Sequence, residues 1–134
     1  MSQSIFDKMK APPAAELLGW KLISFEKDAG IIKVGFDGKR EFTNPMGVIQ
    51  GGFLSAMLDD TMGPLIMAMT DGKTFGQIID LHVHFLRPMP VGPITGVAQV
   101  TKNGKRIAFL EGYLLDKDGN KTTRATASAN IIEL

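Results

Sequence analysis

Asn44 to Asp60 reads NPMGVIQGGFLSAMLDD, a turn-rich loop that runs through the pair Gly51-Gly52 into a long apolar segment carrying two acids. A carboxylate inside an apolar helix loses hydration worth several kcal/mol unless it is paired or protonated, so Asp59 and Asp60 are the first functional candidates. Between Thr43 and Thr70 they are the only charged residues, set among Phe53, Leu54, Met57, Leu58, Met62 and Leu65. A helix apolar nearly all round is wrapped by protein on most sides, and the two acids exclude a membrane span. The segment is expected to be the central helix of the domain.

Downstream the apolar period changes from helical to alternating, with Leu81, Val83 and Phe85 set against His82, His84 and Leu86, which is a strand pattern. Three further strand-like runs follow, Ile94–Thr101, Arg106–Leu115 and Lys121–Ile132, separated by the hairpin signals Asn103-Gly104 and Asp118-Gly119. The C-terminal half therefore reads as an antiparallel meander. Upstream, Trp20–Glu26 and Ile31–Phe36 form a hairpin around Asp28, Ala29 and Gly30, and the first 20 residues read as a short amphipathic helix broken at Pro12 and Pro13. The order is helix, two strands, long helix, four strands. Such an α+β chain is solved by a sheet curling around the long helix, with edge strands and an apolar rim covered by a second copy. At least a dimer is expected.

At 134 residues and 44% hydrophobic content, the chain suits one domain spanning residues 1–134. A net charge of +1 without a basic run argues against nucleic acid. The absence of cysteine excludes disulfides, thiolate zinc sites and cysteine nucleophiles. No continuous apolar run of signal-peptide type opens the chain, so a cytoplasmic location is expected.

The loop, helix, acid spacing and following strand IDLHVHFLRP together resemble the hotdog-fold acyl-CoA thioesterases of the phenylacetate-pathway type, and the element order fits over nearly the whole chain. That family carries Asn-x-x-Gly-x-x-His-Gly-Gly and an acid nine residues after the His position. Here Asn44, Gly47, Gln50, Gly51, Gly52 and Asp59 fall on those positions. The resemblance implies a curved antiparallel sheet around one long helix, hydrolysis of an acyl- or aryl-CoA thioester without cofactor, and a site shared between subunits of a dimer or tetramer. The departure is Gln50, where the family most often has histidine. An amide orients a carbonyl or a water but is neither acid nor base, so proton transfer falls to a carboxylate.

At the helix start, Gly51 and Gly52 would leave backbone N–H groups unpaired at the positive end of the macrodipole, suited to a developing oxyanion. Asp59 lies two turns further on, too far to touch a carbonyl held by its own Gly51. It would instead complete a site with the second subunit's loop, as general base on water or as nucleophile, while Gln50 and Asn44 position the carbonyl or water. Simpler roles stand beside these: Asn44 and Gly47 as turn residues, the glycines as close-packed helix entry, Gln50 as a polar residue satisfying loop backbone, and Asp60 as a solvated or hydrogen-bonded acid at the helix surface or interface. Pro64 would clash with the Asp60 carbonyl and remove one helical hydrogen bond, predicting a kink or early stop that could open an acyl pocket along Phe53, Met57, Met62 and Met67.

His82 and His84 share one strand face, but no third ligand accompanies them and no metal site is expected. Lys102, Lys105 and Arg106 flank a hairpin and are candidates for the phosphates of coenzyme A. Two other classes remain open: a non-catalytic acyl-CoA binding or sensing protein, and a 3-hydroxyacyl thioester dehydratase. The latter needs a catalytic histidine that the loop does not supply.

Overall fold

A computed structural model describes residues 5–134. After a 3-10 turn at Ile5–Lys8 come helix α1 (Pro13–Leu18), strands β1 (Lys21–Glu26) and β2 (Ile31–Gly38), and a 3-10 turn at Arg40–Phe42. Helix α2 (Gly51–Met69) follows, and then β3 (Thr74–Phe85), β4 (Gly92–Asn103), β5 (Ile107–Leu115) and β6 (Lys121–Glu133). The six strands form one antiparallel sheet wrapped around α2, which is the expected hotdog arrangement.

Two expectations are corrected. The N-terminal segment is not one broken helix. Its α1 begins at Pro13, which occupies the first helical turn where a missing N–H costs nothing, and it ends at Gly19 in the left-handed region (φ +73°). The first four residues of that segment lie outside the described residues. The meander holds for β4, β5 and β6 only, because the strand order is β1-β2-β4-β5-β6-β3. Pro88 and Pro90 make residues 86–91 unsuitable as a hairpin. The connection instead leans on β6, where Leu86 and Arg87 N–H donate to the Thr122 carbonyl at 2.8 and 3.1 Å. β3 thus returns to pair with β6 and becomes a sheet edge.

The core lies between α2 and the inner sheet face. Met57, Leu58, Met62 and Leu65 of α2 are fully buried against Ile32, Val34, Ile94 and Leu114. Thr61, also fully buried, satisfies its hydroxyl within the helix by donating to the Met57 carbonyl at 2.7 Å. Gly76 lets the start of β3 lie close to α2, since a Cβ there would come within 2.7 Å of the Ile66 side chain. Helix α2 neither stops nor loses its helical run at Pro64 but continues to Met69.

Candidate active site

The loop before α2 is built by its own polar atoms. Asn44 Oδ1 accepts from the N–H groups of Met46 (2.9 Å) and Val48 (3.4 Å), the Gly47 N–H donates to the Asn44 carbonyl (2.9 Å), and Gly47 takes φ +80°. The turn is pinned to the body by the Ile49 N–H on the Met89 carbonyl (2.9 Å) and the Gln50 N–H on the Phe42 carbonyl (2.8 Å). Gln50 is the residue before the helix, in extended geometry. Its carbonyl receives the Phe53 and Leu54 N–H groups, while its side chain caps nothing and is exposed.

Gly51 and Gly52 open the helix, and their N–H groups have no protein acceptor among the described residues. The two glycines differ in surroundings. A Cβ at Gly51 would come within 3.0 Å of the Phe85 ring, whereas one at Gly52 would meet nothing nearer than Gln50 Oε1 at 3.7 Å. Gly51 therefore sits tight against the exposed Phe85 ring at the helix start, and Gly52 faces open space. Phe53 stacks on Phe42 at 4.3 Å and is part of the loop's packing.

Asp59 and Asp60 lie on the wall of a cavity of about 410 Å³ bounded by α2, the first residues of β3 and the N-terminal segment. Asp59 is exposed in the single chain, and the surrounding protein still raises its carboxyl above the ordinary range. Asp60 is half-buried, with Oδ2 out of contact with solvent and without a hydrogen-bond partner among the described residues. Burial, helped by the neighbouring charge of Asp59, pushes its carboxyl up to about 6. The Asp60 backbone is held as well: the Trp20 indole N–H donates to its carbonyl at 2.8 Å.

The structure gathers some of the sequence candidates and separates others. Asn44, Gly47, Gln50, Gly51 and Gly52 form one end of α2, while Asp59 is eight residues along it, a rise of roughly 12 Å. Met57 and Met62 are fully buried in the core, and of the four side chains expected to line an acyl pocket only Met67 lines the cavity. Its other walls include Phe6, Met9, Trp20, Phe75 and Ile78, none of which the sequence pattern singled out. The missing hydrogen bond at Pro64 was the available signal for Trp20, because it leaves the Asp60 carbonyl in need of a donor.

His82 and His84 are exposed on β3 with ring centroids 4.6 Å apart. Among the described residues no group of three or more His, Cys, Asp or Glu is placed to hold a metal. Lys102, Lys105 and Arg106 are exposed at the β4–β5 hairpin. By strand register this is the sheet end where β3 begins, opposite to the Phe85 end that covers Gly51. Among the described residues no helix is long and apolar enough to cross a membrane.

Residues 46–123 match the sequence profile of the Thioesterase superfamily. Human acyl-coenzyme A thioesterase 13 is 29% identical over 90% of this chain and 89% of its own. A Saccharolobus solfataricus protein assigned by name to the esterases is 31% identical over 92% of this chain and 86% of its own. Among solved structures, a phenylacetic acid degradation-related protein of Ralstonia eutropha superposes with a TM-score of 0.88. It is 29% identical and covers 94% of this chain and 95% of its own. The PaaI protein of the E. coli phenylacetic acid degradation operon shares the fold with a TM-score of 0.79 at 20% identity, covering 90% of this chain and 85% of its own.

Proposed function

This chain belongs to the thioesterase superfamily, a class of thioester hydrolases, and within it we propose an acyl-coenzyme A thioesterase that converts an acyl- or aryl-CoA to free acid and coenzyme A. The observation that carries this reading is the placement of Asp59 on the wall of a largely apolar cavity, on the same helix whose first two N–H groups are unpaired. An acid kept above its ordinary range is a better base near neutrality than a solvated one.

The chemistry needs three things: an acceptor for the developing negative charge on the carbonyl oxygen, a base or nucleophile, and a leaving thiolate. The Gly51 and Gly52 N–H groups supply the first, where a preorganised donor is worth roughly 2.7 to 4 kcal/mol. In the base route Asp59 takes a proton from water as the water oxygen bonds to the thioester carbon. Collapse of the tetrahedral adduct then breaks the C–S bond and the thiolate leaves. In the nucleophile route Asp59 itself bonds to that carbon, the C–S bond breaks and the thiolate leaves, and water then hydrolyses the resulting anhydride to release the acid and restore the Asp59 carboxylate. Gln50, exposed beside the free N–H groups, orients the carbonyl or the water.

Because Asp59 stands two turns from its own Gly51, the reading requires a second copy, whose loop brings its helix start to this acid. The long edge strand β3 supports such pairing, since it exposes Ile79 and Phe85 along an unpaired backbone. Asp59→Asn is the test. Thiol release from acyl-CoAs should fall by at least a hundredfold while circular dichroism and melting show a folded protein. Full turnover by this variant would remove Asp59 from the chemistry. Parent protein that binds acyl-CoA without releasing thiol would favour the binding and sensing reading, which the lack of an acid–base function at Gln50 accommodates.

A further inference from the structure

We infer that the cavity between α2, the start of β3 and the N-terminal segment receives the acyl group of the thioester, and that Phe6, Met9 and Trp20 select uncharged alkyl or aryl groups over ones ending in a carboxylate. This rests on the thioester hydrolase reading and adds to it the class of acyl group and the residues that choose it.

The cavity's volume, about 410 Å³, lies in the range of roughly 300 to 1,000 Å³ usual for small-molecule sites. Asp59 on its wall places the reacting carbon at its edge, so the part of the substrate beyond that carbon has this space to enter. Among the described residues three charged side chains face it: Asp59 and Asp60 from α2, and Lys10 from the N-terminal segment. The first residues of β3 contribute none, Gln77 being neutral. Lys10 is exposed and keeps its hydration, whereas Asp60 has already lost part of its own. A terminal carboxylate brought inside would give up water and meet two acids. An alkyl chain or aromatic ring would meet Met67, Phe75 and Ile78 instead.

The N-terminal wall is built so as to choose. Trp20 is fixed from one side by the Asp60 carbonyl and from the other by the Phe6 ring, centroids 5.2 Å apart and tilted by 59°. Residues 5–12 contain no buried side chain, so this segment is laid over the cavity rather than threaded through the core. Substitutions there can reshape the cavity while the sheet and α2 stay intact. Met9 adds an unbranched, adaptable side chain that suits more than one acyl shape.

Trp20 is the only tryptophan in the chain, so its emission reports directly on this cavity. The full-length protein should be titrated with S-octyl-CoA, a thioether that cannot be hydrolysed, with its acid-ended analogue S-(7-carboxyheptyl)-CoA, and with coenzyme A alone. S-octyl-CoA should shift Trp20 emission and bind at least tenfold more tightly than the acid-ended analogue, with coenzyme A alone leaving the emission unmoved. In parallel, Met9→Ala should move the kcat/KM preference toward longer acyl-CoAs and Ala11→Phe toward shorter ones, each by about tenfold in the long-to-short ratio. Thiol release with an unmoved Trp20 signal and an unchanged length profile in both variants would overturn the pocket assignment and leave the hydrolase reading standing. S-octyl-CoA seated at Trp20 in a protein that releases thiol from no acyl-CoA would support the pocket and overturn the hydrolase reading.

Discussion

The indole N–H of Trp20 donates to the backbone carbonyl of Asp60 at 2.8 Å, and that carbonyl is the one Pro64 leaves without its helical partner. A proline four residues on carries no N–H, so the helix would otherwise present an unsatisfied acceptor beside a buried carboxyl oxygen. The tryptophan at the head of β1 repairs the backbone 40 residues away and lets α2 run on to Met69.

Trp20→Phe keeps an aromatic wall but removes the donor, and should cost about 1 to 2 kcal/mol in urea unfolding. In a Pro64→Ala background the new N–H can take over the Asp60 carbonyl, so the same change should cost about 0.5 to 1 kcal/mol less. Equal costs in the two backgrounds would mean that the indole bond does not compensate for the proline.

Asp60 should make the protein less stable as pH rises. Its carboxyl lies at about 6 in the folded chain against 3.8 when free, so the penalty vanishes only well below pH 3.8, where both states are protonated, and sets in as pH rises through that value. The penalty grows through pH 6 and is complete above it. Asp60→Asn should therefore stabilise the protein at pH 8 by about 1 to 2 kcal/mol, a value discounted for the part exposure of the carboxyl. Melting curves from pH 4 to 8 test this, with the gain shrinking toward zero at the acid end.

How far the sequence carries the fold can be seen at Asn103-Gly104 and Asp118-Gly119. Both hairpins form because their partners lie within a few residues, and the turn chemistry alone specifies them. The position of β3 was not legible in the same way, since its partner β6 is some 40 residues distant and no local residue encodes that pairing. The site divides along the same line. The loop's glycines, Gln50 and the two acids stand out by composition and spacing. The cavity is assembled from Phe6, Trp20 and Phe75, ordinary apolar residues until the fold brings them together. Met57 and Met62 share the methionine-rich pattern of α2 but turn inward, and which helix face meets the sheet is decided by tertiary packing.

Gly51→Ala tests the close approach at the helix start. Alanine favours helix over glycine by nearly 1 kcal/mol, yet its Cβ would press on the Phe85 ring at 3.0 Å. The exposed ring can give by a few tenths of an ångström, so the contact should cancel much of that gain and leave the stability within about 0.5 kcal/mol of the parent. In Phe85→Leu the same substitution should become stabilising. Chemical denaturation of the four proteins reads this cycle directly.

Gln50→Ala should separate positioning from folding. The side chain is exposed and caps no helix N–H, so the melting temperature should move by no more than a degree or two. If the amide orients the carbonyl or water, kcat should fall about tenfold. The shape of the pH–rate profile should be unchanged, because an amide contributes no titration. The rising limb should belong to Asp59, raised above the ordinary carboxylate range by partial desolvation from the surrounding protein, and should persist in Gln50→Ala. Gln50→His would introduce a group titrating near pH 6.5, so a second limb appearing only in that variant would locate position 50 within reach of the proton in flight. A kcat unchanged in Gln50→Ala would leave the residue as part of the loop's surface and put the orienting role on the Gly51 and Gly52 N–H groups alone.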